Sequence, residues 1–451
     1  MNILYLAHRI PYPPNKGDKL RSFRQLQHLA DRHRVWCACF VDDPADLQHK
    51  RPLAQHCEAL TTVRLHPKQA VLRGLMGLAR GGTATESFYR SRAMYKILDN
   101  WSASISFDVV VAFSSSMAPY ALQVPAKRHV LDLCDLDSRK WFDYARRAAI
   151  PIRWLYRMEG RRLADRERAW IDAFDAAMFI TESEAGPLKR AMSAHSDPWA
   201  LARADMETAK TNRVLKERTL SERIHIVGNG VDLPDLQASS PLSDGPGDAA
   251  PTVGFVGMMN YRPNVEGVCW FVSQCWPAIR AACPGVRFRI VGRSPTRRIR
   301  RLASTPGVTV AGEVDDVGAE LRRFDVSVAP LRIARGLQNK VLEAMAWGKP
   351  VVLTPQAAEG VAAEHGREFI VAEDAEATAK AVLQLLCDPG ERLRLGSAAR
   401  RFAAERHRWS DRLRDFEFAA LGLVERSAFH SPPSTIHQQT PSTEPTPQLG
   451  H

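Results

Sequence analysis

The chain's 451 residues are enough for two or three domains, and 45% hydrophobic with 25% charged residues supports full cores. Lys and Arg outnumber Asp and Glu by 62 to 50, a formal charge of +12. That surplus favours an anionic partner (a nucleotide, a nucleic acid or an acidic membrane face) without choosing among them. Eight scattered cysteines form no C-x-x-C pair, and fourteen histidines show no H-E-x-x-H or H-x-H spacing. A zinc ribbon, a thioredoxin-type centre and a resident metal are therefore not expected, and no cofactor is assigned. No G-x-G-x-x-G follows a strand, so a dinucleotide is not favoured. MNILYLAHRI enters a strand pattern without a basic-then-apolar leader, and no apolar run reaches the ~18 residues of a spanning helix. The expected place is cytoplasmic, or peripheral to the inner face of a membrane.

Short apolar runs alternate with helical patterns through the first half. Ile3–Ala7 reads as a strand and Leu20–Leu29 as a helix, joined by a loop with Pro11, Pro13, Pro14 and Gly17. Proline stiffens that loop and Gly17 lets backbone approach a ligand, with Asp18, Lys19 and Arg21 lining a cleft. A plain helix-capping loop with Asp18 as cap is the competing reading. Val35–Val41, Asp108–Phe113 (in FDVVVAF), His129–Leu133 and Ala176–Ile180 read as further strands. Asp132, Asp135 and Asp137 sit at one strand's carboxyl end, where acids can orient an acceptor hydroxyl or take its proton. They also suit a helix cap plus surface charge. The stretch 139–170 is rich in Arg, with Trp141, Trp154 and Trp170 interleaved. It suits the surface of an anionic bilayer and, equally, a solvated helix whose tryptophans pack inward.

After Ile226–Val231 the segment Asp235–Pro251 is a linker by composition. The alternation then restarts: Thr252–Val256, a helix Val265–Ala282, then Val286–Val291, Val308–Val310, Val326–Ala329, Val351–Thr354 and Phe369–Val371. Strands separated by helices imply parallel sheets with helices on both faces. Two such halves leave a cleft at the carboxyl ends of their strands. In GLQNKVLEAMAWGKPVV, Gly336–Val352, a loop leads into a short helix carrying Lys340 and Glu343 three apart. A helix N-terminus with an added cation suits phosphate, and a carboxylate one turn on suits a ribose diol. In isolation, a surface lysine and a glutamate placed for the helix dipole explain the pair better. Ser427–His451, rich in Ser, Thr, Pro and Gln, reads as a disordered tail.

EAMAWGKPVV resembles the nucleotide-binding core of family 4 glycosyltransferases, retaining enzymes of the GT-B fold. Asn229-Gly230-Val231-Asp232, Gly254-Phe255-Val256-Gly257, Ile290-Val291-Gly292 and Gly312-Glu313-Val314-Asp315-Asp316 resemble other pieces of that family in the same order. ILYLAHRIPYPPNKGDKLRS, LDLCDLDSRKW and PLRIARGLQNKVLEAMAWGKPVV further resemble the sugar transferases of PEP-CTERM/exosortase exopolysaccharide systems.

The resemblance implies an α/β fold of two Rossmann-like doubly wound domains. Residues 1–234 would take the acceptor, 252–408 the nucleotide sugar, and a helix within 409–426 would cross back to the first domain. It implies transfer from a nucleoside-diphosphate sugar to a glycan acceptor, lipid-linked in one version, with no nucleic acid involved. Glu343, Gly17, Asp18, Gly257, Gly292, Arg293, Val314, Gly336, Leu337, Gln338 and Asn339 would bind the nucleotide sugar. Lys340, Asp135 and Arg335 would be catalytic, and Arg21, Asp132, Asp137 and Thr181 would meet the acceptor. Arg335 stands where the broad family has the first Glu of Glu-x7-Glu, and Met258 where it has an Arg after Gly257. A sugar-nucleotide epimerase and a binder of anionic polymer such as RNA are the rival readings.

Overall fold

The computed structural model describes residues 1–193, 223–235, 250–334 and 336–423. Among the described residues the first sheet has seven strands: β1 Asn2–Ala7, β2 Arg34–Val41, β3 Ala59–Arg64, β4 Phe107–Phe113, β5 Ala126–Cys134, β6 Ala176–Phe179 and β7 Ile224–Ile226. Their order is β3-β2-β1-β4-β5-β6-β7, with every pairing parallel. The second sheet has β8 Thr252–Val256, β9 Arg287–Val291, β10 Val308–Gly312, β11 Val326–Ala329, β12 Val351–Leu353 and β13 Ile370–Val371. Its order is β10-β9-β8-β11-β12-β13, again parallel throughout.

Central strands such as FDVVVAF are apolar on both faces because helices cover both. Leu4, Leu6 and Val110 belong to the core on one side of the first sheet; Ile3, Tyr5 and Val111 belong to the core on the other. The strand order reverses between β1 and β4, and between β8 and β11, which opens a crevice at the carboxyl ends of each sheet.

Seven helices matter below: α1 Gly17–Ala30, α2 Pro67–Ala79, α3 Ala84–Tyr89, α4 Asp137–Arg147, α5 Ile152–Ala173, α6 Asn339–Ala346 and α7 Trp409–Leu421. Helix α7 returns to the first sheet, where Phe416, Ala419 and Ala420 join its core. Arg128 donates to the Ala419 and Ala420 carbonyls at 3.1 Å each, satisfying acceptors at that helix end. Where the chain passes between the sheets, Gly230 lies so close to Trp409 that a Cβ would fall 2.5 Å from its ring.

Two local expectations change. The helix expected over Val265–Ala282 is Arg262–Trp270, a π-turn Phe271–Cys275 and Trp276–Ala282. Pro277 has no N–H to give to the preceding turn and crowds its carbonyl, so the ladder re-registers there. Between Val41 and Asp108, read as uncommitted chain, lie β3, α2, α3 and a helix Arg92–Ser104. The expected linker falls mostly on 236–249 and the expected tail on 427–451, outside the described residues.

Candidate active site

The second sheet presents three strand ends to the cleft. After β8 and β9 come Gly257 and Gly292, back to back. A Cβ on Gly292, whose φ is +150°, would lie 1.7 Å from the Gly257 carbonyl oxygen. A Cβ on Gly257 would meet Asn264 Nδ2 at 2.8 Å and Lys340 Cε at 3.3 Å, so the lysine stem lies over this turn. The third end is the loop after β11 that enters α6. Gly336 there has φ +59°, and Gly360 packs so tightly on it that a Cβ would sit 2.0 Å from the Gly336 oxygen.

Helix α6 buries Val341, Leu342, Ala344, Met345 and Ala346. The spacing of three puts Lys340 and Glu343 together on the remaining face, half-buried. Gln338 is the N-cap without a side-chain cap bond; its carbonyl accepts from the Val341 N–H at 2.9 Å, and the Asn339 and Lys340 N–H groups open the helix. Lys340 Nζ donates to Gln338 Oε1 at 3.2 Å. Burial pulls the Lys340 ammonium down to about 8, with Glu343 opposing. Burial also pushes Glu343 up to about 7, with Lys340 opposing and Asp232 adding to the rise. A cation and a carboxylate held in poor solvent are primed for a ligand that supplies the missing partners.

The first domain meets this site directly. A Cβ on Gly17 would lie 3.2 Å from Asn339 Nδ2. Arg293 Nη2 donates to Asn15 Oδ1 at 3.0 Å across the cleft. Asn229 Nδ2 donates to Asn339 Oδ1 at 2.9 Å, and Asn229 Oδ1 accepts from Arg21 Nη1 at 3.1 Å. A relay thus runs from the core of the first domain to the first residue of α6.

Asp135 follows β5 and faces the glycine loop. A Cβ on Gly336 would lie 2.7 Å from its Oδ1, an atom that is buried without a hydrogen-bond partner among the described residues. Burial raises its pKa; Lys140 at 3.9 Å opposes, while Glu184 and Asp137 add. Asp137 accepts from Ser115 Oγ at 2.5 Å and from Lys140 Nζ at 3.0 Å. Burial works against its ionisation, but Lys140 and Ser115 hold it below the usual carboxylate range. It is the first residue of α4 rather than its cap, which is Leu136.

Several residues stand elsewhere than expected. Arg21 and Asp132, expected to meet the acceptor, are 1% and 0% exposed and pair with each other at 2.8 Å. Asp132 also accepts from Gln25 Nε2 at 2.6 Å and the Cys134 N–H at 3.1 Å; Arg21 also donates to the Val227 carbonyl at 2.8 Å. Two charges that deep must satisfy one another, so they brace the domain instead of touching a ligand. Asp18 is likewise engaged, by Arg9 at 2.7 Å and His8 at 3.6 Å. Against the cost of burial, those partners hold it well below the usual carboxylate range. Lys19, expected in the cleft, is buried on Asp46 at 2.7 Å. Thr181 is buried beside Ser183 at 2.9 Å, and Val314 and Leu337 pack on the second core. Arg335 lies outside the described residues. Of the three tryptophans in 139–170, Trp170 is buried, Trp141 is half-buried with its N–H on Thr85, and Trp154 is 73% exposed.

Sequence reasoning missed Asn15, Gly360, Ser115 and the part played by Asn229. Ser115 follows β4 at its carboxyl end, a position that strand-end logic could have flagged. Gly360 carries no local signal, because its need for a bare Cα comes from a loop 24 positions earlier.

Comparison with known proteins sharpens this. Residues 250–388 match the family described as Glycosyl transferases group 1. A phosphatidyl-myo-inositol mannosyltransferase of Propionibacterium freudenreichii subsp. shermanii is 30% identical over 185 residues, 38% of this chain and 45% of that protein. The chain therefore spans less than half the length of this curated relative. Among solved structures, Anabaena Alr3699/HepE in complex with UDP superposes with a TM-score of 0.61 at 16% identity, covering 94% of this chain and 100% of that one. Sucrose-phosphate synthase from Thermosynechococcus elongatus gives 0.64 at 17%, covering 92% and 97%. At those identities the likeness is one of fold, and the fold is GT-B: two Rossmann-like α/β domains across a cleft.

Proposed function

We propose that this chain is a retaining glycosyltransferase, moving a hexosyl group from a nucleoside-diphosphate sugar to a hydroxyl of a lipid-carried glycan in exopolysaccharide assembly. The observation that carries the reading is the half-buried Lys340–Glu343 pair at the open N-terminus of α6, faced across the cleft by the Gly17 loop and Asp135. The group 1 match over 250–388 supports the reaction class. The UDP held by the Anabaena relative makes UDP the first nucleotide to try. The Propionibacterium relative, named for a lipid-linked inositol, supports a lipid-carried acceptor.

In this reading Glu343 accepts hydrogen bonds from the ribose hydroxyls. Lys340 and the N–H groups opening α6 receive the diphosphate, with Arg335 adding a cation where the broad family has Glu. The C1–O bond to the diphosphate breaks, and the acceptor oxygen bonds to C1 on the same face. The acceptor's proton passes to the departing phosphate oxygen, and Asp135 orients the hydroxyl. Negative charge grows on the leaving group, so cations there lower the barrier more than they tighten ground-state binding. Closure of two rigid halves would keep water from the donor.

The test is calorimetric titration of UDP, GDP, ADP and NAD into wild type and Glu343→Ala, followed by NMR of the anomeric proton in any product. One nucleoside diphosphate binding, with most of its affinity lost in Glu343→Ala, supports the donor site. No binding, or equal binding by the variant, overturns it; an inverted linkage overturns retention alone. Conversion of the sugar nucleotide without an acceptor would indicate an epimerase.

A further inference from the structure

We propose that helix α2 and the turn between α4 and α5 seat the first domain on an anionic phospholipid bilayer. The proposal rests on the reading of a lipid-carried acceptor but concerns different residues from the donor site.

Helix α2, PKQAVLRGLMGLA, is inverted relative to an ordinary surface helix. Its buried positions are Ala70, Gly74 and Leu78, spaced by four. Outward it presents Val71, Leu72, Leu75 and Met76, 53%, 59%, 52% and 42% exposed. The glycines explain this. A Cβ on Gly77 would lie 1.8 Å from Ser87 Oγ, and one on Gly74 would lie 3.2 Å from the Ala84 carbonyl oxygen. Helix α2 thus presses its small residues onto α3 and turns its large ones outward. Contiguous exposed apolar surface of this kind marks an interaction site.

Charge selects the occupant. Between Glu58 and Glu86 the chain contains no acidic residue, while Arg64, Lys68 and Arg80 are exposed and half-buried Arg73 donates to the Phe88 carbonyl at 3.0 Å. An exposed apolar stripe on a helix whose charged residues are all cations is the pattern of a helix lying in the interface of an anionic membrane.

A second exposed apolar cluster lies in the same domain. At the turn between α4 and α5, Ile150, Ile152, Trp154 and Leu155 are 73%, 51%, 73% and 41% exposed, near Arg146 and Arg157. Helix α3 bridges the two. Buried Glu159 of α5 accepts the Ala84 and Thr85 N–H groups at 2.6 and 2.9 Å, and Arg162 donates to the Leu78 carbonyl at 2.6 Å. The clusters therefore belong to one rigid unit. Helix α4 runs from that turn to Asp137, 11 residues or about 16 Å, so a hydroxyl on a membrane-borne glycan can reach Asp135.

The test is co-sedimentation of the full chain with vesicles of mixed phosphatidylglycerol and phosphatidylcholine, or of phosphatidylcholine alone, at low and high salt. The variants are Leu72→Glu/Leu75→Glu, Trp154→Glu and, as a surface control in the second domain, Leu393→Glu. Melting temperature and UDP titration report on folding and on the donor site separately. Wild type should prefer the anionic vesicles by about tenfold or more and release them at high salt, as interfacial helices do. Leu72→Glu/Leu75→Glu should lose about tenfold or more, Trp154→Glu less, and Leu393→Glu nothing. Wild type that ignores anionic vesicles, or a folded double variant that binds them undiminished, overturns the proposal. So does a dimer that the double variant converts to monomer without either binding vesicles, which would make the face a protein interface. Failure of UDP, GDP and ADP all to bind alongside intact vesicle binding would sink the donor site and leave this proposal standing.

Discussion

Nucleotide affinity should carry the titration of Lys340. Burial brings that ammonium to about 8, with only Glu343 opposing. A lysine of that pKa is roughly nine-tenths charged at pH 7 and one-tenth at pH 9. A bound diphosphate favours the charged form, so the lysine pKa rises in the complex. Affinity is therefore full below the free-enzyme pKa and falls as pH rises through it, by about tenfold per unit until the pKa of the complex is reached. Lys340→Arg, charged throughout, should abolish the alkaline fall. Lys340→Met removes a charge-assisted contact of about 1.5–3 kcal/mol, or about 10- to 150-fold in affinity near pH 7. Its turnover should drop further than its affinity if the charge acts on the leaving group. Glu343, raised to about 7, should give a shallower decline on the acid side, because a neutral carboxyl can still hydrogen-bond a ribose hydroxyl. The assay is titration calorimetry across pH in buffers of different ionisation enthalpy, which also counts the proton taken up. A wild-type affinity flat to about pH 9.5, or an identical alkaline fall in Lys340→Arg, would refute the assignment of the diphosphate to this lysine.

Two structural predictions accompany it. Arg21→Met leaves Asp132 charged and buried without its cation, and denaturant unfolding should show a loss of about 3–5 kcal/mol, with much of it recovered in Arg21→Met/Asp132→Leu; a loss under about 1 kcal/mol would mean the pair is not the brace described. Gly292→Ala forces a Cβ into the Gly257 carbonyl and must displace the turn beneath Lys340. Nucleotide affinity should fall by about tenfold or more even where the protein stays folded, and unchanged affinity in a folded variant would dissociate that turn from the donor site.

Much of the architecture was legible because it is written in local patterns. Apolar runs such as FDVVVAF between helical stretches require parallel strands with both faces covered. The spacing of Lys340 and Glu343 puts them on one face of α6 whatever surrounds it. The region 59–104 was not legible. Its edge strand β3 is only half-buried, and α2 reverses the usual amphipathic rule, so neither has the periodicity that marks a core-facing element.

Tertiary structure decided which polar residues face ligand and which face each other. Asp18, Lys19, Arg21 and Asp132 look alike in sequence to Asp135 and Lys340, being polar groups at strand ends or in the first turns of helices. Their partners Arg9, Asp46 and Asn229 come from 9, 27 and 208 positions away. The requirement that buried charges find partners consumes the first four and leaves Asp135 Oδ1 without a hydrogen bond among the described residues, turned toward Gly336. Periodicity is a property of neighbours along the chain and was readable from it; the pairing of buried charges depends on which strands and helices come together, and that appears only once the two domains have closed around their cores.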